Sequence, residues 1–326
     1  MLSAASACLI CLVILFGLLK TGWAWRLATD IPNDRSMHTR PTPRVGGWGV
    51  VPAAAIVMFA VGQEAWLIGV LTLFLAAVSQ IDDRRGLPAR YRFAAHLIAA
   101  IVFVACGSTG LAWWWSAVLA IGLVWGANLY NFMDGSDGLA GGMACFGFGG
   151  YALAALYSPL PNPAIAWVCG GIAGAAFAFL LFNFHPARLF LGDAGSISLG
   201  FLGGTMGIWG ARTGTWPVWL PVLLFAPFIA DASVTLLRRL LRREKFWQAH
   251  RDHYYQRMVR SGIGHARVAL YWYAAMLGGI ICAWWALGRS AWVQWTVVAG
   301  WMLVLMLIGA VIDVRWSRYQ TTIAKS

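Results

Sequence analysis

Apolar runs of membrane-spanning length recur from one end of the chain to the other, and the charged residues gather in a few short stretches between them. A spanning helix needs roughly 20 mainly apolar residues. Dividing the chain at charge clusters and at Pro and Gly breaks predicts eleven of them, at 3–22, 48–62, 65–81, 93–109, 111–130, 142–158, 164–184, 197–211, 216–237, 268–287 and 291–313. The runs at 48–62 and 197–211 are short enough to be tilted or partly re-entrant. With 60% apolar and 11% charged residues among 326, the chain needs the bilayer as its solvent. The expected fold is an all-α, polytopic integral membrane protein, with one transmembrane domain over 1–326.

Eleven spans with the N-terminus outside and the C-terminus inside put loops 20–47, 82–92, 131–141, 185–196 and 238–267 and the tail 314–326 on the cytoplasmic side. These segments hold 22 of the 24 Lys and Arg residues, and only Arg212 and Arg289 fall outside them. Segregation of this kind is the positive-inside pattern, and a miscounted span would scramble it. The basic inner loop 238–267 follows Leu236-Leu237-Arg238-Arg239-Leu240-Leu241-Arg242-Arg243, whose period of four separates a basic from an apolar helix face, as in a helix lying along the membrane surface. Many of the 20 tryptophans stand near predicted span ends, where interfacial anchoring favours them.

A net charge of +12 would suit a nucleic-acid binder only if the basic residues sat on a soluble domain, and no segment is long enough to form one. The six cysteines lie in apolar runs without ligand spacing and read as core fillers. The run Leu9–Leu19 lacks a basic segment before it and is followed by Lys20 and Arg26, which reads as a first span rather than a signal peptide.

The chemistry is carried by acids. Asp82, Asp83, Asp134, Asp137 and Asp193 fall at the inner ends of three different spans, among arginines, a placement that suits a metal and a phosphate better than local charge balance. Asn128, Asn131 and Asp134 recur every three residues at a helix end, so their oxygens project on one side. Gly135 and Gly138 then let the backbone leave the helix. Hard oxygen donors with no Cys or His cluster favour Mg²⁺ or Mn²⁺ over zinc. Asp231, an acid within the ninth run, suits either a functional role or a hydrogen bond to a neighbouring helix. His96 and Asp313 read as structural.

Five motifs in order carry a family resemblance. They are Pro32-Asn33-Asp34-Arg35-Ser36-Met37-His38 with Pro41-Thr42-Pro43-Arg44-Val45-Gly46-Gly47, then Asp82-Asp83, then Asn131-Phe132-Met133-Asp134-Gly135-Ser136-Asp137-Gly138, then Phe190-Leu191-Gly192-Asp193-Ala194-Gly195-Ser196, then His250-Arg251-Asp252-His253. Together they resemble the polyprenyl-phosphate N-acetylhexosamine-1-phosphate transferases, glycosyltransferase family 4, over about residues 32–265. The resemblance implies transfer of a sugar-1-phosphate from a UDP-sugar to undecaprenyl phosphate with release of UMP, at the bacterial inner membrane. The nearest-looking subgroup starts O-antigen or related surface polysaccharides. The peptidoglycan-precursor branch carries a run of adjacent histidines where this chain has His250-Arg251-Asp252-His253, so an amino-sugar nucleotide such as UDP-N-acetylglucosamine, or a deoxy relative, is expected.

The same resemblance assigns roles. Asn131 and Asp193 would hold Mg²⁺ on the diphosphate, with Asp134 beside them or as an alternate ligand. Asp82 and Asp83 would handle the attacking lipid phosphate, and either a single displacement or a covalent enzyme intermediate is compatible. His250, Arg251 and His253 would face the pyrophosphate, helped by Arg35, His38 and Arg44. Asp137, Asn183 and Phe190 match positions that hold uracil, Phe190 by stacking. The partners implied are undecaprenyl phosphate, a UDP-amino-sugar and membrane lipid, with a homodimer among the possible assemblies and nucleic acid excluded.

Two other classes would also need many helices. A transporter places its site near the midplane, commonly on broken helices of repeated halves, and this chain has almost no midplane charge and no half-repeat. A scaffold gives no reason for the Asn/Asp constellation. The charge segregation predicts that a reporter fused at residue 160 will be periplasmic and one at residue 250 cytoplasmic; both on one side would rule out the topology and the shared inner-face site.

Overall fold

Helices form over the apolar runs because, without water, a backbone must satisfy its own N–H and C=O groups. The chain is seen here in a computed structural model that describes residues 1–32, 37–107, 112–245 and 250–324; Arg35 lies outside the described residues. Among those described, the order is α1 (Leu2–Lys20), α2 (Trp23–Leu27), β1 (Thr29–Asp30), β2 (Thr42–Pro43), α3 (Gly46–Val61), α4 (Gln63–Arg85), α5 (Ala89–Gly107), α6 (Trp113–Phe132), α7 (Leu139–Tyr157), α8 (Pro163–Asn183) and α9 (Asp193–Arg212). Then come α10 (Trp219–Leu224), α11 (Ala226–Leu241), α12 (Tyr254–Met258), a π-helical turn (Val259–Ile263), α13 (His265–Ala286) and α14 (Ala291–Ile323). The protein is nearly all-α and multi-pass: α1, α4, α5, α7, α8, α13 and α14 are each long and apolar enough to cross a membrane, and α3 is a shorter apolar helix.

Two elements depart from the sequence reading. The run at 216–237 is divided into α10 and α11 at Phe225, because Pro227 brings no N–H to the helix and its ring disfavours the preceding turn. Phe225 packs at the break against Gly147 and Gly203, where larger residues would collide with its ring. The basic stretch from Leu236 forms the last turns of α11 rather than a separate surface helix; the helix ends at Leu241 with Arg242 as its C-cap, before the positive φ of Arg243. The last predicted span also runs on: α14 has 33 residues, roughly 50 Å at helical rise, longer than a bilayer core is thick.

The interior is one contiguous apolar cluster built largely from Ala, Leu, Val and Phe, and glycines at the crossings let its helices approach closely. Helix α1 crosses α8 where Gly174 faces the Ala4 carbonyl, and a side chain there would overlap it. The junction that matters for the site lies at the start of α3. Strand β2 pairs antiparallel with β1, and the Arg44 N–H donates to the Ala28 carbonyl at 2.9 Å. On its other side Phe190 N–H donates to Pro43 O at 2.8 Å, Gly46 N–H to Phe190 O at 2.8 Å and Gly47 N–H to Leu191 O at 2.9 Å. This ladder draws the first turn of α3 against the first turn of α9, and a Cβ on Gly47 would stand 2.5 Å from the Gly195 nitrogen.

Gly47→Ala therefore forces two helix starts apart, an overpacking cost of about 1–3 kcal/mol. The variant should melt at lower temperature in detergent. Gly300→Ala in α14, where nothing lies within 4 Å of the added carbon, should leave melting unchanged; equal melting of the two would show that α3 and α9 do not meet at Gly47.

Candidate active site

The α3–α9 junction carries Arg44 to the acids at the end of α4. The Arg44 guanidinium lies 2.8 Å from Asp30 Oδ2 and 3.8 Å from Asp83 Oδ1, so Asp30 holds it from behind while it faces Asp83. Asp83 is nearly buried, and its Oδ2 has no hydrogen-bond partner among the described residues. Across from it, Gly192 has a left-handed φ of 74°, and a Cβ there would lie 3.3 Å from Asp83 Oδ2 and 3.1 Å from the Arg44 carbonyl oxygen. Only glycine suits that position. Asp193 then opens α9, where helix N–H groups favour negative charge.

Asp82 and Asp83 are neighbours in sequence but differ in their contacts. Asp82 accepts a hydrogen bond from Leu87 N–H at 2.6 Å and one from Arg92 at 3.0 Å, fixing the turn between α4 and α5. Its carboxylate thus has two protein partners while its charge still reaches Asp193, and Asp83 is the one that faces Arg44.

The α6–α7 turn supplies the third acid. Asp134 feels the charges of Asp193 and Asp83, with Arg44 in partial opposition. Burial above all, and then the Asp193 charge, hold its carboxyl well above the usual carboxylate range. Asn131, one turn earlier, accepts a hydrogen bond from the Ser196 hydroxyl at 2.8 Å, tying the end of α6 to the first turn of α9. Asp83, Asp134 and Asp193 thus all feel the Arg44 guanidinium, which Asp30 already engages, and Asp193 also feels Arg92, which Asp82 engages. An enclosed excess of negative charge on hard oxygens suits a divalent cation of the Mg²⁺ class. Among the described residues no three His, Cys, Asp or Glu side chains converge as a preassembled metal cage, so such an ion would lean on Asn131, water or substrate oxygens for the rest of its shell.

The histidine-containing segment reaches the same region from the other side. Asp231, in α11, accepts from Tyr254 N–H at 2.9 Å and from Tyr255 N–H at 3.0 Å, and His253 Nδ1 is 3.2 Å away. One buried carboxylate thus caps α12 and seats His253, which lies 6.2 Å from the Phe132 ring. The Tyr255 hydroxyl donates to Phe132 O at 3.1 Å, directly beside Gly135, so the segment is latched to the α6–α7 turn. Asp313 of α14 completes the frame, bonded to Arg238 of α11 at 2.9 Å and Arg257 of α12 at 2.8 Å. Asp313 is structural, as expected, and so is His96, buried against Asn128 at 3.3 Å.

His250 and Arg251 differ in what they offer. Burial first, then His253 and Arg239, lower the His250 imidazole to about 4, so it is neutral near pH 7. Arg251 has no side-chain partner among the described residues. Asp252 is held by Arg239, so the segment presents its positive charge through Arg251.

The residues expected near a nucleobase form a third group. Asn183 is buried, accepting from Gly138 N–H and donating to Leu189 O, both at 2.9 Å; its amide holds the α8–α9 loop against the start of α7. Asp137 lies 2.7 Å from His185 Nδ1 and accepts from Ala187 N–H at 3.2 Å. Phe190 meets the His38 ring edge-on at 4.8 Å, and His38 Nε2 is 3.6 Å from Asp30. Sequence reasoning passed over Asp30, His185, Ser196 and His265. His265 lies 2.9 Å from the Ser136 hydroxyl and stacks on His185 at 5.5 Å, and no motif spacing marks either histidine.

A family model described as "Glycosyl transferase family 4" matches residues 65–211, which contain all three site acids. "Probable undecaprenyl-phosphate N-acetylglucosaminyl 1-phosphate transferase" of Bacillus subtilis is 25% identical over 76% of this chain and 74% of its own length. "Decaprenyl-phosphate N-acetylglucosaminephosphotransferase" of Mycobacterium tuberculosis is 29% identical over 76% of this chain and 72% of its own. A "Phospho-N-acetylmuramoyl-pentapeptide-transferase" of Geobacillus kaustophilus is 32% identical over 42% and 49% respectively.

The role of Asp231 is testable without any substrate. Hydrogen bonds to a charged acceptor contribute about 1.5–3 kcal/mol each. Asp231→Asn should therefore speed amide exchange at Tyr254 and Tyr255 by at least about tenfold while exchange in α7 and α8 stays as it was. Unchanged exchange across 250–258 would show that the carboxylate does not hold this segment.

Proposed function

We propose, for a chain that belongs to the polyprenyl-phosphate hexosamine-1-phosphate transferases, that it transfers N-acetylhexosamine-1-phosphate from a UDP-sugar to undecaprenyl phosphate and releases UMP. The observation that carries this reading is the gathering of Asp83, Asp134 and Asp193 from three separate helical segments beside Arg44. A transporter or scaffold has no use for that arrangement at a helix-end cluster.

In this reaction an oxygen of the lipid phosphate attacks the phosphorus that bears the sugar. The bond from that phosphorus to the UMP oxygen breaks, and UMP leaves with the electron pair. The protein's task is to bring anions together and to neutralise the charge on the leaving group. Asp193 and Asn131 would hold the Mg²⁺, or Mn²⁺, which supplies that neutralisation when bound. Arg251 contributes positive charge from the 250–258 segment, and neutral His250 and the seated His253 offer hydrogen bonds to substrate oxygens. Asp83, with one oxygen free of protein partners, positions the lipid phosphate, whose second ionisation is largely complete near neutral pH. Asp137 and Phe190 border the uracil site, Asn183 shapes it through the backbone, and His38 and Arg44 close it from the first loop.

Eleven spans with the N-terminus outside put the basic loops and the site on the cytoplasmic face of a bacterial inner membrane, where UDP-sugars are made. The product would start a lipid-linked surface glycan of the O-antigen type.

The direct test incubates purified protein and undecaprenyl phosphate with a panel of UDP-sugars, UDP-N-acetylglucosamine and UDP-N-acetylmuramoyl-pentapeptide among them, and measures UMP. Release is expected with an N-acetylhexosamine donor and none in EDTA; no UMP from any donor would overturn the assignment. Asp193→Asn should lower the rate on the order of a thousandfold and Asn131→Ala less, since a neutral ligand is easier for water to replace. Asp83→Asn should abolish turnover while UDP-sugar binding persists, and equal loss of both would move Asp83 to the nucleotide side.

A further inference from the structure

On the far side of the 250–258 segment, the π-helical turn, the first turns of α13 and the last turns of α14 enclose a cavity of about 330 Å³. Its floor is apolar, formed by Met258, Ile263 and Ile312 with the face of Tyr271. Its rim carries Arg267 and Arg315. No acid lines it. The nearest carboxylate in sequence, Asp313, is already engaged by Arg238, Arg257 and the Tyr254 hydroxyl.

Neither arginine has a carboxylate partner among the described residues. Arg267 has no side-chain partner among the described residues. Arg315 makes hydrogen bonds only to neutral acceptors, the Ser261 hydroxyl and carbonyl, both at 3.2 Å. These contacts hold its guanidinium at Ser261, next to Gly262 of the cavity lining, without a carboxylate partner among the described residues. The surrounding helix faces are exposed and apolar at Leu270, Tyr271, Val311 and Val314, as befits surfaces turned to acyl chains. Arg315 is one turn beyond Val311, about 6 Å along the axis, so the groove passes from hydrocarbon-facing to charged surface within one helical turn.

We infer that this cavity binds the headgroup of an anionic glycerophospholipid, with the phosphate between Arg267 and Arg315 and an acyl chain along Tyr271 and Val311. Paired arginines recognise phosphate oxygens by charge and by bidentate hydrogen bonding. The apolar floor selects a phosphate that arrives on a lipid rather than a soluble one. The ligand sits beside the turn that leads out of α12, and so steadies the segment carrying His253 from the side opposite Asp231.

The test uses the whole protein in detergent and reads lipid binding by native mass spectrometry, independently of any transferase assay. The probes are phosphatidylglycerol, phosphatidylcholine with the same chains, inorganic phosphate and undecaprenyl phosphate. One tightly held phosphatidylglycerol is expected, with weaker retention of phosphatidylcholine. Each lost arginine should weaken it about fivefold, and Arg267→Gln with Arg315→Gln about thirtyfold. Arg267→Gln alone breaks no contact among the described residues, so its melting temperature should stay constant while lipid affinity falls. Equal binding of phosphatidylcholine, equal retention by the double variant, or displacement of the lipid by inorganic phosphate would each overturn the proposal. Preferential binding of undecaprenyl phosphate would also overturn it, making the cavity an approach to the reaction site.

Discussion

A short backbone ladder, from residues 43–47 to residues 190 and 191, decides where charge can sit in this molecule. Side chains in loops wander, but a carbonyl and an N–H paired at 2.8 Å fix the chain to within a fraction of an ångström. The ladder closes only because Gly47 and Gly195 let two helix starts touch backbone to backbone. It sets Arg44 against Asp83 and sets Gly192, in a conformation that only glycine adopts easily, between Arg44 and the α4 acid.

What the ladder assembles is electrostatically expensive. Three carboxylates drawn into an enclosed region repel one another, and the guanidinium that faces all three, Arg44, is shared with Asp30. Such a cluster in a protein with no charge to spare is hard to explain as a stabilising device, because buried acids without matched partners destabilise a fold. It becomes reasonable when its counter-charge arrives with a ligand. The strain is carried by the packing around it: small residues that bring α3, α4, α6 and α9 close, and the Asn131–Ser196 bond that joins two of them.

The segment at 250–258 is organised by a different device. There the acids are matched. Asp231 takes two N–H groups and a histidine, Asp313 takes two arginines, and Tyr255 reaches across to the α6–α7 turn. Fully satisfied buried networks rigidify. Asp231 and Asp313, with complete partners, hold this segment in place, whereas Asp83 keeps one oxygen without a partner among the described residues.

The membrane class, the helical content and the stretches that carry chemistry followed from the sequence, because transfer free energy acts on runs of residues and needs no knowledge of their neighbours. The ordered motifs likewise marked Asn131, Asp134, Asp193 and the His250–His253 stretch as a group. Other points were decided in three dimensions. Asp82 and Asp83 look equivalent in sequence, and only the positions of Leu87, Arg92 and Arg44 separate a turn-fixing acid from one left open. Asn183 and Asp231 are bare polar residues in apolar context until the backbone groups they hold come into view. Asp30, His185 and His265 carry no motif, since their roles rest on contacts to residues such as Arg44, Asp137 and Ser136, far away along the chain in most cases. Local composition fixes which segments enter the bilayer; pairings between distant segments, set by backbone geometry and packing, fix which polar groups meet.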